Sequence, residues 1–267
     1  MIKVGIAGLG TIGRAVAQHL RDHETGLVLD SVSAGHAGKA RAWLRDAGFA
    51  VPVVDGIDLA CRADVIVDCA PTAAFRAIAQ AAADEGKILV TVSGAALLQA
   101  PELVERAARN GGRIILATGA LLGLDAVRAA ALGTIHSVTM VTRKPPKSLV
   151  KAEHVVRNRI DLTALDAPLK IFEGSAREGA IAFPANVNVA AALGLAGVGP
   201  DRTRLEIWAD PALERNTHFI TVDSDSARLE MKIENIPTDE NPGTGRITAL
   251  SVIAALRALV SPLHIGT

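Results

Sequence analysis

Four residues into the chain, the segment VGIAGLGTIGRAVAQHL, beginning at Val4, limits the fold more than any other stretch. The apolar run Ile2–Ala7 reads as a buried strand, and Thr11–Asp22 reads as a helix with apolar residues at helical spacing. Between them the glycines stand as Gly8-x-Gly10-x-x-Gly13. A strand, a bare turn and a helix in this order open a parallel sheet, and each glycine has a physical task there. Gly8 permits the tight turn. Gly10 leaves the backbone open to a pyrophosphate, and Gly13 lets the helix lie close on the strand. The helix N-terminus offers N–H donors and a positive dipole end to phosphate. The spacing predicts a dinucleotide held at Gly8, Gly10, Thr11, Ile12 and Gly13.

The rest of the chain agrees with that opening. Apolar runs at Leu27–Val32, Val65–Cys69, Ile88–Val92 and Ile114–Leu116 alternate with helical stretches such as Thr72–Asp84 and Pro101–Asn110, the pattern of a parallel sheet covered by helices. Several runs end in small residues, as in CAPT (Cys69–Thr72), VSGAA (Val92–Ala96) and ATGALLG (Ala117–Gly123). Ligands of such sheets lie outside the carboxyl ends of the strands, which brings Ser33 and Ala70 among the expected cofactor contacts.

Past Gly123 the period changes from helical to two. HSVTMVTRK (His136–Lys144), RLEIWAD (Arg204–Asp210), THFITVD (Thr217–Asp223) and ARLEMKIEN (Ala227–Asn235) alternate as half-buried strands do, and SDS marks a hairpin turn. Arg177–Ala180 and Val187–Leu195 are helical candidates to cover the sheet. NPGTGR (Asn241–Arg246) breaks the pattern before a last apolar helix, Ile247–Leu259. The expected fold class is α/β, an N-terminal Rossmann-type doubly wound parallel sheet with a second α+β domain on a mixed or antiparallel sheet. The expected division is 1–123, with the helix of 245–267 packing back on it, and 124–244.

Composition excludes some chemistry. Lys and Arg number 28 against 28 Asp and Glu, so no electrostatic argument favours nucleic acid or an anionic membrane. No apolar stretch approaches the ~20 residues of a membrane span. The two cysteines, Cys61 and Cys69, stand in no metal or redox spacing, which suits reduced thiols and predicts a cytoplasmic protein binding no metal. With no tyrosine in the chain, the short-chain dehydrogenase scheme is excluded, and the proton must be handled by a histidine, a carboxylate or a lysine.

The second strand bears on the choice of cofactor. The ribose-binding carboxylate of such sheets stands near its end, but here Asp30 falls mid-strand and the end reads Ser33, Ala34, Gly35, His36. Nothing there repels a 2′-phosphate, and His36, Lys39 and Arg41 would attract one. Both NAD and NADP are expected to serve.

Among seven histidines, His218 stands out at the start of an alternating strand, on the same face as Ile220, where it is either a packed structural residue or an acid–base group. The segments ATGALLGLDAV (117–127), TRKPP (142–146), FEGSARE (172–178), PANVNVAAALGLAGVG (184–199), NTH (216–218) and ENPGTGR (240–246) resemble the L-aspartate dehydrogenase family over essentially the whole chain and in the family's order. The resemblance implies that His218 is catalytic and that Ala120 and Asn186 contact the cofactor. It also implies a homodimer that converts L-aspartate to iminoaspartate for NAD biosynthesis, or aminates oxaloacetate in reverse. Gly243 departs from the family pattern, standing where a basic residue is frequent. Two substrate carboxylates require cations, and Arg143 and Lys144 form the nearest pair in a matched motif, though both also read as surface charges. Two other readings are an imine reductase of the dihydrodipicolinate reductase type and a non-catalytic NAD(P)-binding redox sensor. The first lacks its histidine-rich segment here, and the second has no need of His218.

Overall fold

Apolar runs too short for helices become strands, and the alanine-rich stretches between them become the covering layers. The structure is a computed structural model describing residues 1–23, 26–121, 123–184, 187–241 and 243–266. It divides into two units, one of Met1–Ala117 with Thr248–His264 and the other built on Thr118–Ile247.

In the first unit the chain runs through β1 (Ile2–Ala7), α1 (Thr11–Asp22), β2 (Leu27–Ser33), α2 (Ala37–Asp46), β3 (Val53–Val54) and α3 (Gly56–Arg62). It continues through β4 (Val65–Asp68), α4 (Thr72–Asp84), β5 (Ile88–Thr91), α5 (Gly94–Leu98), α6 (Glu102–Arg109) and β6 (Arg113–Leu116). The strands are parallel in the order β3-β2-β1-β4-β5-β6, the doubly wound order whose direction reverses between β1 and β4. Strand alternation feeds two cores. Val65 and Val67 pack with Val16 and Leu20 of α1, while Ile66 packs with Phe75 and Ile78 of α4. The Rossmann-type reading is borne out. Sequence periodicity misses β3, which has only two residues, and α3, which Asp55 caps by accepting the amides of Ile57 and Asp58.

The second unit contains α7 (Leu124–Ala130), β7 (Ile135–Lys144), α8 (Glu153–Arg157), β8 (Leu169–Ser175), α9 (Ala176–Ala182) and α10 (Asn188–Ala196). Then come β9 (Thr203–Ala209), β10 (Asn216–Ser224) and β11 (Arg228–Asn235). The sheet order is β11-β10-β7-β9-β8. It is mixed: β7 and β9 run parallel and the other pairs are antiparallel. The expected hairpin joins β10 to β11, closed by the Ser224 amide donating to the Ala227 carbonyl at 3.1 Å. One face is buried, through Val138, Met140 and Thr142 of β7, Leu205 and Ile207 of β9, and Ile220 and Val222 of β10. Gly179 of α9 comes close enough to Leu205 that a methyl group there would overlap it. A capping box at Ser175 and Glu178 starts α9. The last helix, α11 (Arg246–Ala258), adds Val252, Ile253 and Leu256 to the core around α1. Among the described residues no helix is long and apolar enough to cross a membrane.

Candidate functional site

Two constellations carry chemistry, one in each unit. In the first, the glycines of the turn separate by function. Gly8 has φ +95°, and a Cβ on it would lie 2.5 Å from the carbonyl oxygen of Cys69. A Cβ on Gly13 would meet the carbonyl oxygen of Gly8. Both glycines are therefore required by the chain's own packing. Gly10 is different. A Cβ there would meet nothing within 4 Å. It is the N-cap of α1 and supplies no side chain to cap the first turn, Thr11, Ile12 and Gly13. The bare backbone and open space fit a pyrophosphate at a helix N-terminus.

The neighbouring strand ends are tied to that turn. The Gly8 amide donates to the Ser33 carbonyl at 2.7 Å, and the Cys69 amide to the Ala7 carbonyl at 2.8 Å. Ala70 lies one residue further on, its amide donating to Asp68 Oδ1 at 3.2 Å. Asp30 is engaged mid-strand with Arg62 at 3.1 Å and Lys3 at 3.7 Å. Beyond Ser33, His36 is the N-cap of α2, and Lys39 and Arg41 are exposed on its first turns. Neither makes an ion pair among the described residues.

In the second unit, β10 pairs with β7 so that His218 stands opposite Thr142. Thr142 Oγ1 and His218 Nδ1 are 3.1 Å apart. Lys144 follows Thr142 by two residues, so strand alternation gives it the same face. Both groups leave water, His218 being 4% exposed and Lys144 5%. The ordinary pKa near ~6.5 that makes histidine a general base at working pH does not hold here. Burial, with the Lys144 charge beside it, pushes the imidazole down to about 3. Burial alone pushes the Lys144 ammonium down to about 8.

The structure separates the expected cation pair. Arg143 lies between Thr142 and Lys144 and therefore on the opposite face, where it pairs with Asp210 at 3.4 Å and covers the Trp208 ring at 5.5 Å. Adjacent residues of a strand cannot share a face, and Lys144 alone reaches the side of His218. Nor is Lys144 a surface charge. The sequence signal for that burial is the alternation of β7, which puts Lys144 in phase with Val138, Met140 and Thr142. The carbonyl of Ala120 accepts from Asn235 Nδ2 at 3.3 Å, which ties its loop to the end of β11. Asn186 lies outside the described residues. At Gly243 the amide donates to Asn241 Oδ1 at 3.0 Å. Sequence reading missed Thr142, whose partner is 76 residues away. It also missed Asp68, whose one signal is an acidic residue ending an otherwise apolar strand.

Comparison with known proteins covers both units. The family model described as "Aspartate dehydrogenase, C-terminal" matches residues 125–259, and the one described as "Homoserine dehydrogenase, NAD binding domain" matches residues 8–117. An L-aspartate dehydrogenase of Bradyrhizobium diazoefficiens is 53% identical over 266 residues, covering 100% of this chain and 94% of the relative. L-aspartate dehydrogenase 3 of Bordetella bronchiseptica is 49% identical, covering 99% of this chain and 97% of its own. The crystal structure of an aspartate dehydrogenase from Thermotoga maritima superposes with a TM-score of 0.77 at 25% identity, over 100% of both chains.

Proposed function

The chain belongs to the L-aspartate dehydrogenase family, and on that premise we propose that it catalyses the NAD(P)-dependent oxidation of L-aspartate to iminoaspartate, with reductive amination of oxaloacetate as the reverse. The observation that carries the reading to particular residues is the buried pair His218 and Lys144 on one face of the β7/β10 ladder. Residues 1–123, with residues 245–267, are the dinucleotide-binding part, and 124–244 are the substrate part. Gly8, Gly10, Thr11, Ile12 and Gly13, with Ser33 and Ala70 at the neighbouring strand ends, hold the dinucleotide, and Ala120 and Asn186 serve its reactive end. Once bound, the cofactor supplies the hydride acceptor.

The chain's own residues handle charge and protons. An ammonium has no lone pair to support loss of hydride from Cα, so the substrate amine must first become neutral. His218 accepts that proton. Held neutral by burial and by Lys144, the imidazole is available as an acceptor throughout the neutral range. Substrate then corrects its weakness as a base. Two carboxylates beside the ring favour imidazolium, so the basicity rises when L-aspartate is bound. Lys144, still largely protonated below about 8, gives a charge-assisted hydrogen bond to one carboxylate in a site where little water competes. Arg143 acts at a remove, by holding Asp210.

The family resemblance supports a homodimer that feeds NAD biosynthesis, and two cysteines in no metal or redox spacing support a cytoplasmic location. An initial-rate assay of L-aspartate with NAD and with NADP tests the function. Substrate-dependent reduction of both is expected. Tight cofactor binding with no turnover would leave a nucleotide sensor in its place.

A further inference from the structure

Asp68 ends β4 in the middle of the parallel sheet, level with Ala7 of β1 and Thr91 of β5. Every other residue of that strand, Val65, Ile66 and Val67, is apolar and buried. The carboxylate is 0% exposed and has no ion-pair partner among the described residues. A valine would cost far less in that position.

Three donors surround it. Oδ2 accepts from Thr91 Oγ1 at 2.7 Å and from Ser93 Oγ at 2.8 Å, and Oδ1 accepts from the Ala70 amide at 3.2 Å. Thr91 Oγ1 accepts in turn from the Ser93 amide at 2.9 Å. Burial raises the carboxyl's pKa, and these hydrogen bonds oppose the rise.

These partners lie at or just past the ends of β4 and β5, on the carboxyl side of the sheet. The loop after β4 also lies on the glycine turn, since the Cys69 carbonyl occupies the space a side chain on Gly8 would need. One carboxylate thus ties segment 69–71 to segment 91–93, and 69–71 in turn lies against the glycine turn through the Cys69 carbonyl. The three meet where the strand order reverses, the point at which open parallel sheets bind ligands.

We propose that Asp68 is a positioning residue for the dinucleotide, its carboxylate holding the loops after β4 and β5 where a cofactor lying over Gly10 meets them. The inference rests on the nucleotide site proposed above. It does not make Asp68 a catalytic residue, because the carboxylate is enclosed by its own loops.

The test is cofactor titration and thermal unfolding of the intact protein carrying Asp68→Asn, Ser93→Ala or Thr91→Ser, beside Leu103→Ala as a core control and Gly10→Val as a site control. Asp68→Asn and Ser93→Ala should weaken cofactor binding about tenfold, the effect of losing roughly one hydrogen bond to a charged group. Turnover at saturating cofactor should stay within about twofold of wild type, and Thr91→Ser, which keeps the hydroxyl, should bind normally. Leu103→Ala should lose stability without loss of affinity. If the Asp68 and Ser93 variants lose stability in the same way and keep wild-type affinity, the network only holds the fold and the inference fails. If Gly10→Val also binds normally, the nucleotide site itself is wrong. Should Asp68→Asn not fold, Ser93→Ala decides, because it removes a single hydroxyl.

Discussion

At Gly10 an added methyl group would touch nothing, whereas His218 is packed against Thr142 and shielded from water together with Lys144. On the proposed function, the first region recognises by leaving side chains out. The open turn offers backbone amides, and the turn itself follows from local glycine spacing. The second works by burying two titratable groups together, and its properties follow from strand register and desolvation. On the proposed function the contrast separates holding a nucleotide from moving a proton, and it predicts that the two can be damaged independently.

The largest effect is expected at the buried pair. His218→Ala should lower turnover on L-aspartate ~10²–10⁴-fold, as loss of a general base does. A stable variant with near-normal turnover would make the histidine structural and turn attention to Lys144 as the base. Next comes Lys144→Met, which removes the cation while keeping the bulk. Binding of succinate, the dicarboxylate skeleton of aspartate without its amine, should weaken roughly 10–100-fold, since hydrogen bonds to charged groups contribute ~1.5–3 kcal/mol. Unchanged succinate binding would dissociate Lys144 from the carboxylates.

pH sharpens the same contrast. Because the Lys144 pKa lies at about 8, succinate affinity should fall as pH rises through that value in the wild-type protein and stay level in Lys144→Met. Stability should respond in the opposite range. The folded pKa of His218 is about 3, below the unfolded value of 6.5. Between those values the unfolded chain binds a proton that the folded one does not, so stability falls as pH drops below 6.5. His218→Ala should flatten that decline in a denaturation series, and an identical decline would argue that the ring titrates normally.

The smallest effect is expected on the nucleotide side. With Lys39 and Arg41 exposed and no carboxylate ending β2, NAD and NADP should differ by less than a hundredfold in kcat/KM, or ~2.7 kcal/mol. Arg41→Ala should cost NADP roughly twofold to fivefold, as exposed charges do, and leave NAD unchanged. A ten-thousandfold preference for NAD would remove the basis for this.

The two regions also differ in how far the sequence reveals them. Helices α1 and α4 begin and end where periodicity sets them, at Thr11–Asp22 and Thr72–Asp84, because those signals are local. The alternation of β7 and β10 is equally plain, but it cannot reveal that β9 runs parallel to β7 or that His218 faces Thr142. Register over that separation is settled by which faces can be buried together. The separation of Arg143 from Lys144 follows from the alternation of β7, legible from the sequence as far as Lys144, because adjacent residues of a strand face opposite ways. Asp68 was invisible for another reason. A buried carboxylate at the end of an apolar strand makes sense only once Thr91 and Ser93 are seen beside it.

Cofactor titration of the His218→Ala protein, beside its turnover, decides whether the nucleotide site and the proton acceptor are separate. The division of tasks predicts a cofactor dissociation constant within about twofold of wild type in a sample whose turnover on L-aspartate has collapsed. Affinity and turnover falling together would contradict it, because the histidine would then be supporting the nucleotide site rather than the proton.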